Sequence, residues 1–276
     1  MDIGIYISST EQLKDILSQD IPAKWILFGD YNCYKRIPNI NELRDIAHDS
    51  KLNFHYISPK VNMARMDYEY NNVLELLDQG ISVSINDLGL LYKLKQAKNK
   101  NASIYLGRLL TKSINRWIWG EIHVAQEDPE AKSYFAQNNF YQQEKMEYFK
   151  DWNIKGIETS IFSKEEESLK KIKEENFEII GFIDNTIAAV SRACPIAKDK
   201  GITVANYNCS HLCLNKEIII RPANHEQMEK YPDLYFEGTV LMKRIEPTLS
   251  WTGYDKVIFS YINEASLPLI KNLLEV

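Results

Sequence analysis

Residues 53–97 read NFHYISPKVNMARMDYEYNNVLELLDQGISVSINDLGLLYKLKQA, and one pattern occurs twice inside them. The short run 53–57 reads as a strand, and 68–79 as a helix closed by Gly80 at its C-terminal end. The next apolar run, 82–85, is again a strand, and Asp87 is placed to cap a helix running to about Ala97. Strands that alternate with helices imply parallel β-α-β units.

The pattern extends in both directions. Upstream, Trp25 to Gly29 reads as a strand and Asn41 to Lys51 as a helix, capped by Asn39 or Asn41. Downstream, 103–106, 156–160 and 178–183 read as strands, with the charged helix 164–175 between the last two. Strands at 217–220, 235–240 and 256–260 follow, then a final helix near 267–274. Six or more such units in about 250 residues predict a closed (β/α)8 TIM-like barrel, one domain over 1–276. An open doubly wound sheet is the alternative. One stretch, 115–153, breaks the rhythm and is expected to be a helical insertion. Its aromatic residues, among them Trp117, Trp119, Phe140, Phe149 and Trp152, either pack on the barrel or form a lid or partner surface.

Composition narrows the function classes. Of 276 residues, 45% are hydrophobic and 26% charged, with a formal net charge of -5. There is no basic tract, which argues against binding nucleic acid through its phosphates. No apolar run is long enough to span a bilayer, and Met1-Asp2-Ile3-Gly4 does not begin a secretory leader, so a cytoplasmic protein is expected. A chain of this length needs neither disulfides nor a structural metal to bury a core.

The cysteines are Cys33, Cys194, Cys209 and Cys213. Cys33 follows the strand ending at Gly29, and Cys194 follows the strand ending near Ile183 and its apolar extension. In a parallel barrel, loops after strand C-termini gather at one mouth, where active sites sit. Four thiols converging there would suit an iron–sulfur cluster. Spacing alone leaves three readings open: a cluster, a zinc site using the C-x3-C pair Cys209–Cys213, and four inert buried thiols.

Neighbouring residues add a resemblance. Leu27-Phe-Gly-Asp-Tyr-Asn-Cys33-Tyr-Lys35-Arg36, Ser84-Ile-Asn-Asp87-Leu-Gly89, Ser191-Arg192-Ala-Cys194 and Cys209-x3-Cys213 together resemble the UbiV-type members of the U-32 (collagenase-like) peptidase family. The resemblance covers about 200 residues in order and approximate spacing. It implies a TIM-like barrel and a 4Fe-4S cluster on Cys33, Cys194, Cys209 and Cys213. It further implies a role in hydroxylation without dioxygen, as in anaerobic ubiquinone biosynthesis, with a homologous UbiU-like partner subunit, an aromatic substrate and prephenate as oxygen donor. Relatives in the family hydroxylate RNA bases, so an RNA-base or natural-product hydroxylase on the same scaffold is an alternative, as is a zinc-binding module without activity. No nucleophile–base set supports proteolysis. The insertion around Trp117 to Phe140 and the short region after Ser260 depart from the family pattern.

Other candidates flank these motifs. Lys35, Arg36 and Arg192 suit a dicarboxylate such as prephenate, or else offset the cluster's negative charge or form surface pairs. Arg108, just past the strand ending at Leu106, points to the mouth as well. Asp87 is an N-cap or an acid–base group. His48, His55, His123 and His225 have no partner near in sequence that marks them as ligands or catalysts.

Overall fold

The computed structural model describes residues 1–19, 21–31, 33–96, 103–111, 138–161, 166–183, 185–190, 194, 218–219, 234–237, 240–244, 253–260, 268 and 270–271. Its strands are β1 (Asp2–Ile7), β2 (Trp25–Gly29), β3 (Asn53–Ile57), β4 (Ser82–Ile85), β5 (Ile104–Leu106), β6 (Ile154–Ser160) and β7 (Glu178–Phe182). Then come β8 (Asn185–Val190), β9 (Ile218–Ile219), β10 (Leu234–Glu237), β11 (Val240–Arg244) and β12 (Lys256–Ser260). Strands β1 to β7 and β12 close into an eight-stranded barrel in which every pair is parallel. Closure is the β1–β12 seam, with Asp2 beside Lys256 and Tyr6 beside Ser260. The expected (β/α)8 TIM-like barrel is present.

Helices α1 (Thr10–Ser18), α2 (Ile40–Ile46), α3 (Met66–Asp78), α4 (Leu88–Gln96), α5 (Arg108–Thr111), α6 (Gln143–Lys150) and α7 (Glu166–Glu174) alternate with the strands. The caps follow local chemistry. Asn39 accepts from the Asn41 N–H at 2.8 Å, and Ser9 from Gln12 at 3.3 Å. Outward strand residues such as Ile5, Ile7, Phe28, Val83 and Ile85 pack under the helices in one core. Inward ones such as Tyr6, Leu27, Ile57, Tyr105, Ile180 and Ile258 form a second. Both strand faces are buried, which is why these strands read as apolar runs rather than alternating ones.

Two glycines are required by conformation. Gly29 ends β2 at φ +127°, and a Cβ there would lie 2.1 Å from the Ile57 carbonyl oxygen. Only glycine lets β2 leave the barrel so close to β3. Gly80 closes α3 at φ +77° with open space around it. Gly80→Ala should therefore cost about 1 kcal/mol, through backbone conformation alone. Gly80→Asn should cost less, and denaturant unfolding of both variants checks the order.

Three expectations change. Residues 2–7 form a barrel strand that had no strand assigned. The strand expected at 235–240 is two antiparallel strands, β10 and β11, with Glu237 paired to Val240. Of 217–220, only Ile218–Ile219 is described as strand, and it pairs antiparallel with β10. Together with β8 these make a four-stranded antiparallel sheet, β8-β11-β10-β9, placed between the last two barrel strands in sequence. Its Ile187, Tyr235, Val240 and Met242 join the inner core, so this sheet packs on the barrel interior rather than extending the barrel.

In the expected insertion, residues 112–137 lie outside the described residues. The described part, 138–153, packs on the barrel: Phe140, Met146 and Trp152 are buried, and Phe140 stacks edge-on against Phe177 at 5.2 Å. Of the final helix expected at 267–274, the described Pro268, Ile270 and Lys271 are helical. Among the described residues, no helix is long and apolar enough to cross a membrane.

Candidate functional site

The C-terminal mouth of the barrel gathers the residues that follow β2, β4, β5 and β7. After β2, Asp30 Oδ1 accepts the Cys33 N–H at 2.6 Å, and Asp30 Oδ2 lies 3.3 Å from Arg36 Nη1. Both side chains of this ion pair are nearly inaccessible, at 2% and 3% exposure. The Arg36 guanidinium is thus held by Asp30 in a buried pair. That corrects the expectation of a surface pair, and it takes up charge that a dicarboxylate was expected to meet. Lys35, on the same single turn, is exposed. Asp87 is an N-cap: Oδ1 accepts from Gly89 and Leu90 at 2.9 and 3.1 Å, while Oδ2 accepts from Val61 at 3.3 Å. With both oxygens engaged by backbone, it shapes the loop rather than reacting.

Arg108 occupies the mouth as its position past β5 suggested. It is 2% exposed, donating from Nε to the Tyr31 hydroxyl at 2.9 Å and from Nη1 to the Asn185 side-chain oxygen at 2.8 Å. Its guanidinium carbon lies 3.8 Å from the Phe182 ring centroid and 4.8 Å from that of Tyr31. Nη2 has no partner, and no carboxylate among the described residues pairs with this cation. A buried cation with no carboxylate beside it among the described residues, held this rigidly, is suited to receive an anion.

Below the mouth, the barrel interior holds a polar cluster that sequence reasoning missed. His55 on β3 lies with Nδ1 2.7 Å from Ser82 Oγ and Nε2 2.7 Å from Ser84 Oγ, both on β4. Nε2 is also 3.5 Å from Glu158 Oε1 on β6. Burial holds the His55 imidazole below its ordinary value, although Glu158 opposes that shift. A neutral imidazole suits this setting, because one ring nitrogen donates to a hydroxyl and the other accepts. Glu158 is fully buried, and its carboxyl makes no closer hydrogen bond among the described residues than this contact with His55. A buried carboxyl beside an imidazole is a candidate acid–base pair.

Nearer the opposite end, Tyr105 donates to Glu178 Oε2 at 2.7 Å and Lys256 Nζ donates to the same oxygen at 3.0 Å. Burial would raise the Glu178 carboxyl, but hydrogen bonds from Tyr105, Lys155 and Lys256 outweigh it and hold it at about 2. A cavity of about 450 Å³ opens at this N-terminal face, lined by Trp25, Asn53, Ser82, Tyr105 and Lys155 among others. This end of a barrel ordinarily serves stability.

Of the cysteines, Cys33 and Cys194 are described, and both are half-buried. Cys33 follows barrel strand β2, whereas Cys194 follows β8 of the antiparallel sheet. Cys209, Cys213 and Arg192 lie outside the described residues. Among the described residues, no three His, Cys, Asp or Glu side chains form a metal-binding group.

No protein-family model matches the chain, and no curated protein sequence matches it significantly. Among solved structures, it is similar to two variants of triazine hydrolase, each at 8% identity, over 63% of this chain and with a TM-score of 0.37. The chain spans 42% of the length of those structures.

Proposed function

We propose that this barrel is an iron–sulfur protein of a hydroxylation system that works without dioxygen, of the UbiV type. The observation that carries the reading is the Arg108 guanidinium, buried at the mouth with no carboxylate paired to it among the described residues, on the face from which the half-buried Cys33 segment leaves. Cys33 and Cys194 would hold the cluster together with Cys209 and Cys213. Bound there, a 4Fe-4S cluster supplies one-electron redox chemistry.

The chain's own residues supply the rest. Asp30 fixes the backbone of the Cys33 turn and offsets Arg36. Arg108, oriented by Tyr31 and Asn185, holds a carboxylate of the oxygen donor, for which prephenate is the resembled family's example. The His55–Glu158 pair takes up or returns a proton within the water-poor interior. Tyr31 and Phe182 pack on the Arg108 guanidinium and fix its plane, and a homologous subunit completes the system. The exchange of an aromatic C–H for C–OH makes this an enzyme or one subunit of an enzyme.

Protein purified without oxygen tests the reading. About four iron and four sulfide per chain, with broad absorption near roughly 400 nm, are expected. Cys33→Ala should lose most of the iron while remaining folded by circular dichroism. Colourless protein that carries zinc, and keeps it in Cys33→Ala, overturns the cluster in favour of a local zinc pair.

A further inference from the structure

Outside the barrel, a cavity of about 330 Å³ opens beside α2 and α3, next to the turn that carries Cys33. Glu69 of α3 lines it and is fully buried. Its Oε1 accepts a hydrogen bond from the Tyr56 hydroxyl at 2.9 Å and the Asn72 side chain also favours the carboxylate, whereas Oε2 makes no well-formed hydrogen bond among the described residues. The Tyr34 hydroxyl, on the same cavity lining, is also buried without a partner. These two atoms do not bond to each other. Each such atom costs about 1–3 kcal/mol when left unpaired, so the pair marks the place of a missing polar group.

The chemistry of that group is constrained. It must donate to a carboxylate oxygen and also reach a phenol. The walls include the aromatic Phe28, Tyr34, Tyr56 and Tyr68 beside polar residues such as Asn39, Asn41 and Asn72. Aromatic faces attract cations, and Arg65 already lies 4.7 Å from the Tyr34 ring centroid at the exposed rim. Among the ionisable lining residues, Glu69 and Glu75 outweigh Arg65. The space is many times the roughly 30 Å³ share of one water molecule, and it falls in the range of small-molecule sites. A quaternary ammonium has no N–H for Glu69, and a neutral alcohol does not match its charge.

We propose that this cavity binds a small primary ammonium compound, whose ammonium donates to Glu69 Oε2 and the Tyr34 hydroxyl while its apolar body lies against Phe28, Tyr56 and Tyr68. The site is separate from the barrel mouth and does not depend on the hydroxylase reading.

Benzylammonium is the probe, titrated at pH 8 into the full chain and followed by calorimetry and NMR. Saturable binding is expected, with shifts confined to residues of α2, α3 and the Tyr34 turn. Glu69→Gln should weaken it at least tenfold, and Tyr34→Phe severalfold, with both variants folded by circular dichroism. Benzyl alcohol and tetramethylammonium should bind wild-type protein at least tenfold more weakly. The proposal is overturned if wild-type protein shows no saturable binding, if benzyl alcohol binds equally well, or if folded Glu69→Gln binds as wild type does. The alcohol arm decides the matter even where a variant does not fold.

Discussion

Glu69→Gln should stabilise the protein by about 2–3 kcal/mol at pH 8 and leave it nearly unchanged near pH 4.5. Burial raises the Glu69 carboxyl from 4.5 to about 7, against the lowering effects of Tyr56, Asn72 and Arg65. The folded state therefore binds this proton more tightly than the unfolded chain does. Its stabilising effect is full below about 4.5 and is lost as pH rises through about 7. Glutamine keeps an oxygen for the Tyr56 hydroxyl and carries no charge at any pH, so it escapes the penalty that grows on the alkaline side. For a chain of this size the gain corresponds to a melting-point rise of roughly 4–12 °C at pH 8. Urea unfolding of both proteins at pH 4.5, 6 and 8 measures it. A difference that does not grow with pH would contradict the account of Glu69.

Retaining a costly carboxyl there is what a binding site requires and what a structural helix position does not. The same substitution that stabilises the free protein should weaken benzylammonium binding. A gain in stability matched by a loss of affinity would separate a functional acid from an incidental one.

The barrel was legible because its signal is local. Runs such as Ser82–Ile85 are apolar, short and followed by capped helices, and Asp87 and Gly80 sit where the pattern needs a cap and a stop. The departures arise where local pattern is ambiguous. Asn185–Val190 begins three residues after β7 ends and reads as its continuation, although it pairs antiparallel with β11. Leu234–Glu237 and Val240–Arg244 were fused because the two-residue interval, Gly238-Thr239, is short, yet a glycine in such an interval is a hairpin signal. The interior cluster was harder still. His55, Ser84 and Glu158 are far apart in sequence and meet only because their strands share a barrel wall. One signal was available: polar residues at alternate positions of otherwise apolar strands, as in Ser82 and Ser84 of β4, mark an inward face that is not apolar. Arg36 shows the opposite limit. Its neighbour Cys33 suggested ligand binding, but only the folded turn reveals that Asp30 is its counter-ion.

His55→Leu should destabilise the protein by about 3–5 kcal/mol at neutral pH, the largest effect expected of any interior substitution named here. The imidazole lies 3.5 Å from the Glu158 carboxyl, and it also bonds Ser82 and Ser84. Removing it leaves Glu158 facing a hydrocarbon and two hydroxyls without their partner. Glu158→Gln should cost far less, because an amide restores a neutral hydrogen-bonding group beside Nε2. The double variant His55→Leu/Glu158→Leu should recover part of the loss, since neither member then strands the other. Acid titration adds a second signature. His55 is held below its ordinary 6.5 by burial, so wild-type protein loses stability from this group as pH falls below about 6.5. That limb has the opposite sign to the one from Glu69 over the same range, so it must be read as a difference between proteins. Compared with wild type, the double variant should lack it. If the losses of His55→Leu and Glu158→Leu, each measured alone, simply add in the double variant, the interior histidine and carboxyl do not interact, and the acid–base role assigned to them fails with that result.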